Sequence, residues 1–400
     1  MATLLLEEGS TMSTRLNKFI SVLSLFLVFS PGAFPQEKSS FFEKVKNFVI
    51  APSRSLDPDA VYQPNLLWNV GIIGDLRQAR TTQVNDFAIT YESAGNAGTD
   101  VIMQARMDAE LKGSVGKSVG LQVGFGNVTL GWNQQIGRSR EYDDRALSFD
   151  LLSSGYALQL QYFDLSRPIY FDFSVRNDMG GYERIEDPEF SNPARLRAFI
   201  ADGFYAFNRR TFAYSAVYKG GKFQRRSAGS FMFGSKLISG TLEWDPEDLM
   251  VTWLGGIGRQ VTTQVAFGGG VAYNLVALHR QPGGNGLQGL KNLTFNLTAI
   301  PMVTLFNQFV TTVYHNPDGS GYVPASKNTM NGNLLVNYVA RAGAIYSWDN
   351  FSVNLSGSYD SYSYKGVAMS LPFMGEMNED VKTSGFFERW TVGLGFRVRF

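Results

Sequence analysis

The chain has 400 residues, of which 18% are charged and 14% aromatic, with a formal net charge of +1. A soluble domain carries nearer about a quarter charged residues, so this composition suits a surface that faces lipid, and the near-neutral balance carries no footprint of a nucleic-acid partner. The absence of cysteine excludes disulfides, thiolate metal sites, cysteine nucleophiles and a lipidated N-terminal cysteine.

Arg15 and Lys18 precede an apolar run from Phe19 to Phe29, and small, turn-prone residues follow at Ser30 to Ala33. Basic, then apolar, then small is the layout of a secretory signal peptide, and the run falls short of the roughly 20 residues a membrane helix needs. A short buried helix is the alternative, and nothing downstream continues a helical pattern. Glu7 and Glu8 sit badly in a signal's basic region, so Met12 is an alternative start. Residues 1–36 are read as the signal, with cleavage between Ala33 and Glu37. Residues 37–65 are read as a periplasmic N-terminal segment, with an amphipathic helix over Phe41–Val49 and a stretch broken by Pro52, Pro58 and Pro64.

From residue 66 to 400 the chain alternates with period two. Val119, Leu121, Val123 and Phe125 alternate with Gly120, Gln122, Gly124 and Gly126. Ile169 to Val175, Leu293 to Ala299 and Phe351 to Tyr359 behave in the same way. Each segment therefore has one apolar and one polar face. Tight turns are expected at Gly126-Asn127, Asp164 to Pro168 and Trp348 to Asn350. Longer polar insertions fall at Arg138 to Arg145, Asn177 to Pro193, Asp245 to Asp248 and Asn316 to Asn333. Short turns at one end and long loops at the other predict an all-β transmembrane antiparallel barrel of about 12 strands, within 10 to 14, in a bacterial outer membrane among its lipids. The count is open at Asp86 to Gly113 and around Asn208 to Arg210, where an extra hairpin fits.

The last strand is the most specific segment. Val392, Leu394, Phe396, Val398 and Phe400 occupy alternate positions opposite Thr391, Gly393, Gly395, Arg397 and Arg399. An arginine facing lipid at mid-membrane costs roughly 2–4 kcal/mol, so Arg397 and Arg399 are expected in the lumen, meeting Asp or Glu of neighbouring strands. Trp390 lies ten residues from Phe400 on the apolar side. The alternation ending in Phe resembles the signal by which the barrel-assembly machinery recognises its clients. Phe400→Ser is expected to lower the assembled fraction strongly, with Arg399→Ser doing much less. Equal heat-modifiability and protease resistance of Phe400→Ser and the unmodified protein would reduce Phe400 to a strand end.

Residues 204–214 (FYAFNRRTFAY) and 224–230 (QRRSAGS), with Asp57 to Tyr62 and Gly268 to Tyr273 (GGGVAY), resemble a family of Bacteroidota outer-membrane barrels catalogued as a domain of unknown function. The likeness covers roughly Asp57 to Phe400. It implies fold and membrane location, and no catalytic residue, substrate or cofactor comes with it.

Candidate chemistry is sparse. His279 and His315 are the two histidines. A hydrolase would pair such a His with an acid or a serine such as Ser320 or Ser326. No second motif accompanies either His, and the pair makes no metal site. The glycine clusters at 255–258 and 268–270 lack the strand-loop-helix setting of a phosphate cradle and read as bends or close backbone packing. Asp318-Gly-Ser-Gly lacks the further acidic ligands of a calcium loop. Catalytic, metal and cofactor residues are therefore assigned as none. Arg106, Arg176, Arg195, Arg197, Arg225, Arg226, Arg341, Arg397 and Arg399, with Asp108, Glu110, Asp172 and Asp360, are expected to charge the lumen. Paired filling of the interior is favoured over a selective pore. The expected function is a non-enzymatic narrow channel or a barrel binding a small ligand or lipid. The alternatives are a structural envelope protein docking a partner through its long loops and, remotely, a His-dependent hydrolase.

Overall fold

The computed structural model describes residues 56–64, 68–92, 100–113, 115–136, 145–167, 169–177, 182–189, 194–219, 221–243, 245, 247, 257–283, 286–315, 323–331, 335–367 and 382–400. The expected signal peptide and the Phe41–Val49 helix lie outside the described residues.

Two short strands, β1 (Val61–Tyr62) and β11 (Phe223–Gln224), pair with each other. The remaining sixteen form one antiparallel sheet. They are β2 (Trp68–Glu92), β3 (Asp100–Gly113), β4 (Gly116–Phe125), β5 (Val128–Gln135), β6 (Arg145–Leu152), β7 (Tyr156–Arg167), β8 (Ile169–Asn177) and β9 (Tyr182–Glu189), then β10 (Ala194–Ala206), β12 (Ala228–Glu243), β13 (Ile257–Arg280), β14 (Lys291–His315), β15 (Val323–Asn331), β16 (Leu335–Trp348), β17 (Phe351–Val367) and β18 (Lys382–Arg399). The sheet closes where β18 pairs β2, from Lys382↔Asp86 to Arg399↔Asn69.

Eight of the sixteen strands are halves of four interrupted staves. β3 and β4 pair with successive parts of β2, and β15 and β16 with successive parts of β14. The chain likewise runs from β7 into β8 and from β9 into β10, and the two staves lie side by side. Twelve staves therefore enclose the lumen, as the alternation predicts. The stretch Asp86 to Gly113 adds length to two staves without adding a strand. The turn expected at Asp164 to Pro168 is not a reversal. β7 continues to Arg167, and β8 then pairs with β3, because the short hairpin β5–β6 ends and the staves on either side meet above it. The insertions expected at Asn177 to Pro193 and Asn316 to Asn333 contain β9 and β15.

At one end the turns are tight. Gly126 has φ 58° and Asp349 φ 46°. These are left-handed conformations that Gly and Asp tolerate in two-residue hairpins. Both chain ends of the barrel meet here, with Trp68 N–H donating to Phe400 O (3.2 Å) and Phe400 N–H to Trp68 O (3.0 Å). β13 and β14 are 24 and 25 residues long, whereas about 9–11 tilted residues cross a bilayer. They project well past any membrane at the other end.

The inside and outside of the barrel are inverted relative to a soluble protein. Leu297 (65% exposed), Leu305 (64%) and Leu394 (58%) point outward, while Asp202, Asp360, Asn274 and Thr298 are fully buried within. On β18, Val392, Leu394, Phe396 and Phe400 are exposed and Arg397 and Arg399 are buried. Trp68–Phe125 and the stacked Trp348, Phe351 and Phe396 form an aromatic cluster near the tight-turn end. The glycine cluster serves packing: a Cβ on Gly268 or Gly270 would lie 2.0 or 2.1 Å from the carbonyl oxygens of Pro301 and Ala299.

Candidate functional site

The longest connection at the tight-turn end among the described residues, between β10 and β12 (residues 207–227), folds back into the lumen. Asn208 starts the reversal, its N–H bonded to Ser230 Oγ (2.9 Å) and its side chain donating to Gly229 O (2.9 Å). From Phe212 the connection is buried, passing through helix α1 (Ser215–Tyr218) to β11. So Asn208 to Arg210 opens an inward plug and not an extra hairpin.

Gln224 is the hub of this plug. Its amide nitrogen donates to Thr211 O (2.6 Å), Arg226 O (2.9 Å) and Ala60 O (3.2 Å). Its amide oxygen accepts from Ala213 N (3.0 Å) and Asn274 Nδ2 (3.1 Å). One buried amide thus satisfies groups from the plug, the wall and the N-terminal segment, as a fully buried amide must. Three stretches singled out by resemblance (57–62, 204–214 and 224–230) meet at this plug. The fourth supplies Ala272, packed with Phe212, Tyr214, Phe204, Met232, Ile300, Met302 and Val339 in one apolar layer.

Polar clasps fix the plug to the wall. Tyr218 Oη donates to Asn296 Oδ1 (2.7 Å), and Lys219 Nζ donates to Asp150 O (2.7 Å) and Asn127 O (3.2 Å). Burial lowers the Lys219 ammonium to about 7, with Asp150 partly opposing and Arg397 adding to the fall. Burial alone brings Lys222 to about 8. Arg397 donates to the Lys219 carbonyl and, at 2.8 Å, to Gln122 Oε1. Arg399 lies over the Phe223 ring (4.9 Å) and reaches Ser347 Oγ at 3.3 Å. Both arginines point inward, but the expectation of acidic partners is corrected. Among the described residues their partners are neutral, because the plug's carbonyl and ring occupy the space in front of them.

Above the apolar layer lies a charged one. Lys236 Nζ bridges Asp360 (2.6 Å) and Asp202 (3.1 Å). Arg341 pairs with Asp202 (2.8 Å) and Arg389 with Asp360 (2.7 Å). Arg341 also donates to Gln159 across the lumen and lies 4.7 Å from the Phe204 ring centroid. Arg389 and Arg77 both approach the Phe163 ring (5.1 and 5.5 Å), and Arg77 pairs with Asp75 at 2.7 Å. Three cations share two carboxylates in the central cluster, and side chains from opposite walls touch there.

Of the expected lumen charges, Arg341 and Asp360 lie in this layer. Arg195 and Arg197 do not. They alternate with the inward Leu196 and Ala198, and pair outside with Asp164 (2.8 Å) and Glu243 (2.5 Å). Arg225 and Arg226 flank the plug at the tight-turn end. The side chains of Arg106, Arg176, Asp108, Glu110 and Asp172 lie outside the described residues. Sequence reasoning missed Lys236, Asp202, Arg389, Gln224 and Tyr214. A Lys inside Phe231–Ile238 and an Asp inside Phe199–Phe204 were the available signals, since a charge interrupting an apolar strand needs a buried partner. His279 Nδ1 lies 3.2 Å from Asn292 Nδ2, and the His315 side chain is outside the described residues. Among the described residues no group of three or more His, Asp or Glu could hold a metal ion.

A family model described as Domain of unknown function (DUF4421) matches residues 75–371. No curated protein sequence matches the chain. Among solved structures the chain is similar to the outer membrane protease OmpT from Escherichia coli, at 10% identity and a TM-score of 0.35, covering 83% of this chain and 97% of that one. It is also similar to the P. putida toluene transporter TodX (8% identity, TM-score 0.18, 82% and 90% covered) and a Pseudomonas aeruginosa FadL homologue (8%, 0.20, 84% and 90%). At these scores nothing about the activities of those proteins transfers.

Proposed function

The chain belongs to the family described as Domain of unknown function (DUF4421), and from that premise we propose that it is a non-enzymatic outer-membrane barrel that takes a small ligand in its outward mouth. The observation that carries this reading is the filled lumen: the plug and the charged layer occupy it from the tight-turn end upward. The inverted surface supports a lipid setting, and the tight turns, by the usual asymmetry of such barrels, face the periplasm. Above the charged layer, buried Gln264 Oε1, Asn307 Nδ2 and Tyr362 Oη have no hydrogen-bond partner among the described residues. These neutral groups suit a hydroxyl- or amide-bearing ligand.

Planar-bilayer recording tests the reading. The unmodified protein is expected to insert without a steady pore, and a stable ohmic conductance would sink the proposal. Brief openings should depend on pH through Lys219. With the plug docked this lysine titrates near 7, and when released near about 10.4. The docked state therefore binds fewer protons between those values, and docking strengthens as pH rises through that window. Openings are expected to be rarer at pH 9 than at pH 6, and Lys219→Met should weaken the dependence. Lys219→Met with Lys222→Met should flatten it, because Lys222 is lowered to about 8 in the same plug.

A further inference from the structure

We propose that the tight-turn end of the barrel is a docking face for a carboxylate-bearing polymer of the cell wall, a proposal that rests on the periplasmic orientation argued above. A net charge of +1 conceals where the charges lie. Arg209, Arg210, Arg226, Arg280 and Lys291 are all exposed and belong to the plug's two ends and the rim of β13 and β14. Among the described residues none of the five has an ion-pair partner, whereas Arg195, Arg197 and Arg259, on the outer wall, each pair with an acid. Arg225 stands with the five and donates to Pro58 O (2.5 Å). Among the described residues the acidic side chains at this end are Asp57, Asp59, Asp349 and Asp150, the last facing Lys219 of the plug. Asp57 Oδ1 is taken by the Asp59 N–H (2.9 Å) and Asp349 Oδ1 by the Gly289 N–H (2.7 Å).

The position of these cations favours a polymer in water over a lipid headgroup. Asp57 N–H donates to Arg210 O, and Arg225 N–H to Ala60 O. The stretch 57–62 therefore lies against the plug, and Arg210, Arg225 and Arg226 surround the lumen mouth, which a lipid leaflet cannot cover. The apolar rim residues Phe207 and Phe231 are exposed on the wall, and the arginines lie beyond them in the chain reversal. Guanidinium groups pair with carboxylates through two parallel hydrogen bonds. An array of them gathers affinity from a repeating anion that one pair would not supply.

The test is co-sedimentation of the detergent-solubilised full chain with insoluble peptidoglycan sacculi. Binding is expected at low ionic strength and should be lost at about 1 M salt, where the Debye length falls to about 3 Å. The triple variant Arg209→Glu, Arg210→Glu, Arg226→Glu should bind at least about tenfold more weakly while keeping its heat-modifiability, as lost charge complementarity requires. Sacculi with amidated carboxylates should bind equally weakly. Undiminished binding by the variant, or to amidated sacculi, overturns the proposal. So does a charge-dependent preference for phosphatidylglycerol nanodiscs with none for sacculi, which would make the face a lipid site. A Gln288→Cys variant separates this failure from that of the orientation, because the chain has no other cysteine. Labelling of Cys at 288 by an impermeant maleimide on intact cells overturns the orientation itself. Protection from the label without sacculus binding overturns only the docking face.

Discussion

Replacing Thr211–Gln224 by a short Gly-Ser linker is expected to turn a silent barrel into an ion-conducting one. The replaced segment carries Phe212, Tyr214, Val217 and Phe223, all fully buried inside the lumen. It also carries the Lys219 clasp and the Gln224 hub. Ala60, Val61, Leu287 and Leu290 pack against its outer side, but the layer of Phe212, Tyr214 and Val217 goes with the segment. The charged layer remains in the linker variant, so conductance should be small and should rise when Arg341→Ser shortens the side chain that reaches Gln159 across the lumen. A point variant makes the same case with the plug present. A Cβ on Gly343 would stand 2.7 Å from Val217 Cγ1 in α1, so Gly343→Leu overpacks the seat of the plug. Overpacking costs about 1–3 kcal/mol, equivalent to about a 5- to 150-fold shift toward the undocked state. Openings should become frequent by that order. If the linker variant inserts, remains heat-modifiable and stays silent, the plug is not what closes the lumen.

The second large effect is on stability. Asp360→Ala removes the carboxylate shared by Lys236 and Arg389, both buried in the luminal layer. A buried pair stripped of one partner leaves an uncompensated charge and costs about 3–5 kcal/mol. Lys236 keeps Asp202 at 3.1 Å, and among the described residues Arg389 keeps the Gln161 amide at 3.4 Å and the Phe163 face. The variant should therefore unfold at markedly lower temperature in detergent, followed by loss of the heat-modifiable band. Asp164→Asn is the matched comparison. Its pair with Arg195 has nearly ideal two-point geometry but stands half in solvent, where such a pair contributes about 0–1 kcal/mol. Equal midpoints for the two variants would mean that the luminal network stabilises no more than a surface bridge.

These effects depend on a feature that separates this barrel from a soluble one. In a soluble domain the apolar side chains of twelve strands would meet inside and the charges would face water. Here the outer face is apolar, and the interior must be filled with groups that satisfy one another's hydrogen bonds. The plug provides the apolar part of that filling. The Asp–Lys–Arg layer provides the polar part, with each carboxylate held by two cations.

Period-two alternation made the barrel, its inward and outward faces and its approximate strand number legible from the sequence, because side-chain direction in a strand is a local property of the backbone. The same property placed Arg397 and Arg399 inside, and steric crowding between strands explains Gly268 and Gly270. Partnership is not local. Arg341 and Gln159 are 182 residues apart, and Arg397 and the Lys219 carbonyl 178. Which of them meet depends on the curvature and register of twelve staves taken together. The interruptions after Gly113, Arg167, Glu189 and Asn331 look like turns in the sequence, since breaks in alternation end a strand and bend one alike. Only closure of the sheet distinguished them. The plug left a mark in the sequence, a stretch from Phe207 to Ser227 with no alternation, set among residues that resemble the family. Its middle, from Phe212 to Gln224, lies inside the barrel and not beyond its rim, because Phe212, Tyr214 and Val217 can be buried nowhere else once the outward wall is given to lipid.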